Sequence, residues 1–300
     1  MQAFEDSTHL LDKPDQLRHR MESDGYAFLP RAVDPARVLA VRNQMLDALG
    51  ALGWLAPGSD PHQALPGKPI RREGDESWWE GYAAVQSLES FHELAHDPGI
   101  VGAVRAIVDE EVLVHPRKIA RVSYPESGWP TPPHQDFPLI QGATDTITVW
   151  MPLGDCTPEM GGLRLLVGSH AAGLKRAMPT SGVGGVGVEI DPDDPAWRTV
   201  TYRAGDLLLF MSLTVHWAPP NNGGALRLSA DYRYQAASEP IVEGSLRPHG
   251  AGAIPEYDVL SASWKTRKWI EYPEGVPVIP MQDPFTASTV SGSRFVAGRP

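Results

Sequence analysis

Cysteine is nearly missing from this 300-residue chain. Cys156 is alone, so no internal disulfide can form and no framework of cross-links can hold the fold. Positive charge is scarce too: 26 Lys and Arg stand against 37 Asp and Glu, a net charge of −11. That balance argues against a nucleic-acid or anionic-membrane partner, since both need a basic surface to neutralise phosphates. No apolar run approaches the roughly 20 residues that span a bilayer. The start Met1-Gln2-Ala3-Phe4-Glu5-Asp6 lacks the basic and apolar regions of a secretory signal. A reducing, cytoplasmic setting and a small-molecule partner are therefore expected.

At 42% hydrophobic the chain can bury a sizeable core, and an all-β body with flanking helices can occupy this length as one domain. Residues 1–110 read as a mainly helical flank. A helix is predicted over Pro14–Ser23, stopped at Gly25, followed by a strand at Tyr26–Leu29. Asp34-Pro35 then gives an N-cap with proline at the first helical position, opening a helix whose apolar face is Val38, Val41, Met45, Leu46 and Leu49. From Gly53 to about Trp79 the sequence is rich in Pro, Gly and charge without a sustained period, and reads as a long loop of the kind used for lids or binding. Its Lys68, Arg71, Arg72, Trp78 and Trp79 are read as a partly packed, solvated connection, with substrate contact as the second reading. Helical spacing returns at 87–95 and 98–108.

After Glu110 the character changes. Short β-branched or alternating runs follow at 112–115, 119–124, 146–151, 163–167, 197–202, 206–211 and 226–234, separated by Gly, Pro and Asn. About eight short strands with turn signals suggest a sandwich or barrel over 111–236. Residues 181–195 read as a mobile loop over its mouth. Residues 237–300 are Pro-rich and weakly periodic, and are expected to wrap the barrel and to offer contacts for a homodimer.

The chemistry gathers at Thr131-Pro132-Pro133-His134-Gln135-Asp136. Side chains at i and i+2 of a strand share a face, so His134 and Asp136 would aim an imidazole and a carboxylate at one point while Gln135 turned away. That is two thirds of a two-His-one-carboxylate facial triad, which leaves three positions of a non-haem Fe(II) open. His216, at the end of the apolar run Leu207–Val215, is the best third ligand. Arg227 follows eleven residues later in an alternating strand pattern, and its planar fork suits bidentate recognition of a carboxylate.

These residues resemble the phytanoyl-CoA dioxygenase family of Fe(II)/2-oxoglutarate oxygenases. The resemblance runs from Asp24-Gly25-Tyr26-Ala27-Phe28-Leu29 to Arg233-Tyr234-Gln235. It is carried by His134-Gln135-Asp136, Trp150–Asp155, Gly161-Gly162-Leu163, Gly168-Ser169-His170, Gly205-Asp206, His216, Asn221-Asn222 and Arg227 in the right order. It implies a double-stranded β-helix, a jelly-roll relative, with Fe(II) on His134, Asp136 and His216. It also implies 2-oxoglutarate chelating the metal with its far carboxylate on Arg227, and O2 as the second co-substrate. Oxidative decarboxylation to succinate and CO2 would then accompany hydroxylation of a C–H bond. Trp150 matches a tryptophan of the family's co-substrate pocket, and Ile119, Ser123, Thr131 and Gln135 are further wall candidates. Asp136 stands where the family's halogenases carry a small residue, which speaks against halogenation. Ala218 replaces a serine of the namesake enzyme, removing one expected hydrogen bond.

Two readings from other classes share part of this pattern. A jelly-roll binding protein could keep the fold without turnover, and a zinc hydrolase could use the same three ligands with an open water position. Acyl-CoA thioesters, amino acids, osmolytes and natural products all remain open as substrate classes, with a small or medium-sized metabolite preferred. Desaturation, ring closure and epoxidation stand beside hydroxylation as outcomes of the same chemistry.

Overall fold

Period-two alternation in the second half of the chain becomes two antiparallel sheets in the computed structural model, which describes residues 1–287. The strands are β1 (Tyr26–Leu29), β2 (Val112–Val114), β3 (Ile119–Ser123), β4 (Thr131–His134), β5 (Ile147–Pro152), β6 (Arg164–Leu166) and β7 (Met178–Pro179). They continue with β8 (Val186–Gly187), β9 (Trp197–Arg198), β10 (Leu207–Met211), β11 (His216–Ala218), β12 (Arg227–Ala236), β13 (Ile241–Val242) and β14 (Val278–Ile279). The larger sheet runs β1-β10-β5-β12-β2, with β3 also paired to β12; the smaller runs β4-β11-β6-β9. The two face each other across a layer containing Phe28, Trp150, Leu208 and Phe210 from one side and Leu163, Leu165 and Ala218 from the other. Among the described residues they do not join into a closed barrel.

All but one of the helices cover the outer face of the larger sheet; the exception, Phe137–Ile140, follows Asp136, and its first N–H donates to the Ser212 carbonyl. They are α1 (Pro14–Asp24), α2 (Pro35–Ala51), α3 (Glu76–Gln86), α4 (Glu89–Leu94), α5 (Pro98–Val108), and the single turns α6 (Phe137–Ile140) and α7 (Tyr257–Leu260). The expected helix boundaries hold for physical reasons. Asp34 accepts from the Ala36 N–H ahead of Pro35, and Gly25 closes α1 in the left-handed conformation (φ 77°) with its N–H on the Met21 carbonyl. Leu17, Met21, Val38, Met45, Ile100 and Val104 pack with Val149, Ala230, Tyr232 and Tyr234 in one core. Burial of this apolar surface is the main stabilising term.

Three expectations change. The loop expected from Gly53 to Trp79 ends early, because α3 begins at Glu76 and buries Trp78, Tyr82 and Val85 on one face. Gly81 disguises that helix in the sequence. A Cβ there would lie 2.2 Å from the Trp54 ring, so glycine is the residue that lets the indole lie against the helix. Residues 181–195 are not simply loose: β7 and β8 pair as a short hairpin, and the Val188 N–H donates to the Pro133 carbonyl beside β4. The strand expected over 197–202 shrinks to β9, with Tyr202 making an isolated bridge to Cys156. In the C-terminal segment Tyr257 donates to the Pro116 carbonyl and Trp264 to that of Ser87. The segment's last part, 288–300, lies outside the described residues.

Candidate active site

His134 ends β4 and His216 begins β11, and the two are direct register partners across the smaller sheet. Their rings stand 4.2 Å apart between centroids. Each Nδ1–H donates to a carbonyl two residues upstream, His134 to Pro132 at 2.8 Å and His216 to Thr214 at 3.0 Å. A carbonyl can only accept, so both rings are held in the tautomer that leaves Nε2 with a free lone pair. Asp136 lies just past the strand, in helical conformation at the start of α6. Its side chain still returns to the expected point: Oδ1 is 3.6 Å from His134 Nε2 and 3.8 Å from His216 Nε2. One ligand atom from each of the three residues lies within 4.8 Å of the others, a spacing that can hold one metal ion.

The carboxylate is held from behind. Thr148 donates to Oδ2, and Arg233 Nη2 stands 3.1 Å from both oxygens. Burial alone would raise the Asp136 pKa, but the adjacent Arg233 guanidinium outweighs it and holds the group well below the usual carboxylate range. Burial pushes His216 down to about 4, with the neighbouring His134 adding to the effect. The neutral imidazole that a metal requires is thus the resident form near neutral pH.

A cavity opens from this cluster, lined by Thr131, Thr148, Trp150, Leu163, Phe210, Ala218, Arg121, Arg227, Asp231 and Arg233 with the triad. Arg227 is 6% exposed. Its Nη1 donates to Ser229 at 2.8 Å, while its Nε is buried without a partner, as are Nε and Nη1 of Arg233. Buried guanidinium N–H groups left unpaired are costly. They are what a cavity built for an anion leaves open before the anion arrives, so the residues fit a ferrous ion with a dicarboxylate 2-oxo acid.

Of the expected wall residues, Trp150 and Thr131 line this cavity, and Ser123, the register partner of Arg227, lines the adjoining recess. Gln135 is corrected: its amide donates to the Gly173 and Leu213 carbonyls and accepts from the Lys175 N–H. It points away from the metal cluster because it alternates with His134, and it ties a loop down. Ile119 lies opposite Asp231 and lines neither space. Arg233 and Thr148 were missed by sequence reasoning. Both carried a signal, since Arg233 is in phase with Arg227 on β12 and Thr148 with Trp150 on β5.

The phytanoyl-CoA dioxygenase (PhyH) family profile matches residues 21–229. The chain belongs to this family. The 1-deoxypentalenic acid 11-beta-hydroxylase of Streptomyces arenae is 29% identical over 265 residues, covering 82% of this chain and 89% of the relative. Among solved structures, the non-heme monooxygenase ThoJ superposes with a TM-score of 0.56 at 21% identity, over 74% of this chain and 78% of ThoJ. The epimerase SnoN, solved with Fe3+, alpha ketoglutarate and nogalamycin RO, gives 0.55 at 22% identity over 76% and 85%. These likenesses show the cupin-like oxygenase fold. Family membership and the His134, Asp136, His216 cluster together make this PhyH-family chain a non-haem iron, 2-oxoglutarate-dependent dioxygenase.

Proposed function

We propose that this oxygenase hydroxylates an unactivated C–H bond of a small or medium-sized metabolite in a biosynthetic pathway, with His134, Asp136 and His216 as iron ligands and Arg227 as the anchor of 2-oxoglutarate. The carrying observation is the buried Arg227 guanidinium, with an unpartnered N–H, in one cavity with three metal-type ligands. When bound, iron with 2-oxoglutarate and O2 supplies the oxidising equivalent, releasing succinate and CO2.

The chain's own residues do the rest. His134, His216 and Asp136 Oδ1 would hold the ion beside the cavity they line. Thr148 and Arg233 keep Oδ2 turned away, which favours one carboxylate oxygen as ligand. Arg227, with Ser123 nearby and Trp150 as a wall, recognises the far carboxylate. Leu163 and Phe210 exclude bulk water, which strengthens the guanidinium–carboxylate attraction. A zinc hydrolase would share the ligands but has no use for two buried guanidiniums with open N–H groups.

The test is independent of the primary substrate. Anaerobic protein with Fe(II) and 2-oxoglutarate is expected to show the weak visible charge-transfer band of the chelate, absent in His134→Ala. Arg227→Ala should need at least tenfold more 2-oxoglutarate, about 1.4 kcal/mol. A folded, iron-loaded wild type without the band would overturn the reading.

A further inference from the structure

Beside the inner cavity lies a second recess, sharing Thr131, Arg121 and Arg227 with it and lined further by Arg71, Arg72, Glu73, Trp78, Val122, Trp129 and Val183. Its charge runs against that of the molecule. Four arginines and one glutamate line it, a formal +3 (4 − 1), in a chain of −11. One of these cations is fully engaged: Arg121 pairs with Asp231 at 2.9 Å and Glu73 at 3.2 Å. Arg227 belongs to the inner cavity.

Arg71 and Arg72 are different, with no carboxylate partner among the described residues. Glu73 is committed to Arg121, and Asp75 accepts from the Arg72 backbone N–H. Each guanidinium instead lies over an indole, Arg71 at 5.2 Å from the Trp54 ring centre and Arg72 at 5.7 Å from that of Trp129. A stacked guanidinium is held by its face, so its in-plane N–H groups stay free for an acceptor. Arg71 Nη1 makes only long bonds of 3.3–3.4 Å to Pro69, Tyr124 and Gly53, and its Nε is buried without a partner. A buried, unpartnered cationic donor at the mouth of a cavity is a binding site waiting for an anion.

We infer that the primary substrate carries an anionic group, a carboxylate or phosphate monoester, which Arg71 and Arg72 hold at the mouth of the recess while an apolar body lies against Trp129, Val122 and Val183 and reaches past Thr131 toward the metal cluster. This rests on the oxygenase reading above and names the substrate class it would serve. The two arginines come from the segment between the short 3-10 turn Pro61–Gln63 and α3, so one connection lines the recess and selects for charge.

The test uses the anaerobic Fe(II)–2-oxoglutarate protein and four probes that share one ring system: 2-naphthoate, its methyl ester, 2-naphthyl phosphate and 2-naphthylmethylammonium, each titrated by calorimetry. The two anions are expected to bind at least tenfold more tightly than the ester or the amine, and the better of them names the anion. Arg71→Gln and Arg72→Gln should each weaken anion binding fivefold or more, leaving ester binding and the 2-oxoglutarate band unchanged. Arg72 is exposed, so its variant keeps the test intact if the Arg71 variant folds poorly. Equal binding of acid and ester, full retention of acid affinity in Arg72→Gln, or no anion binding with the band intact would overturn the inference. A missing band in the wild type would instead count against the oxygenase reading, and the same titrations on metal-free protein would still decide the recess.

Discussion

The two faces of β12 are almost equally buried and chemically opposite. Arg227, Ser229, Asp231, Arg233 and Gln235 look into the space between the sheets, while Leu228, Ala230, Tyr232, Tyr234 and Ala236 pack under the helices. On the inner face the charged groups depend on other side chains, Arg233 on Asp136 and Asp231 on Arg121, and Gln235 joins His115 while its amide donates to the Glu239 carbonyl. On the outer face the polar atoms are tied to backbone, Tyr232 to the Phe91 carbonyl and Tyr234 to that of Ala95. Buried ion pairs roughly offset their own desolvation and add little net stability. Apolar contacts do add it. The strand thus separates its tasks by phase, stability outward and recognition inward.

Breaking the outer face should have the largest effect on folding. Tyr234→Ala is expected to destabilise by about 3–5 kcal/mol, as for other large buried aromatics, and Tyr234→Phe by only about 1 kcal/mol for the lost hydrogen bond. Urea denaturation measures both, and an alanine cost below that of phenylalanine would refute the division. On the inner face, Arg233→Met removes the counter-charge of Asp136 and should cost about 3 kcal/mol in metal-free protein. Most of that should return when Mn(II) is added, because the ion replaces the guanidinium as neutralising charge. A cost unchanged by metal would show that Arg233 is ordinary scaffolding.

The smallest effect comes from the end of the inner row. Burial pushes His115 down to about 3 despite its bond to Gln235, against about 6.5 unfolded. The folded state therefore keeps this imidazole neutral while the unfolded chain takes up a proton. Stability is complete above pH 6.5 and falls as pH drops through 6.5 toward 3. Between pH 7 and pH 6 the contribution is about 0.7 kcal/mol, which His115→Gln should remove from the pH profile of the urea midpoint.

How much of this could be read from residues alone depended on whether period and spacing survived local exceptions. The triad was legible because His134 and Asp136 are two apart and His216 ends a strand-length apolar run. Even so, Asp136 reaches its place by a turn into α6, not by strand geometry. The inner face of β12 was legible in principle as far as Gln235, yet Arg233 went unread because its partner Asp136 lies 97 residues away in sequence, at the start of α6. Helix α3 was hidden because Gly81 breaks the expected composition for the sake of a contact with Trp54. Gln135 was misplaced by proximity in sequence, where alternation of side chains sends it to the opposite side.

The pairing of His134 with His216 in adjacent strands has a topological consequence. An ion held by both would close the intervening chain, including β5, β6 and β10, into a ring pinned at a single rung of the smaller sheet. Closure entropy grows only logarithmically with ring size, so lengthening a loop inside the ring would scarcely weaken the clasp. The excursion between the two histidines can accordingly grow or shrink at its turns, including the 181–195 hairpin region beside the recess, while the rung that carries the chemistry keeps its register.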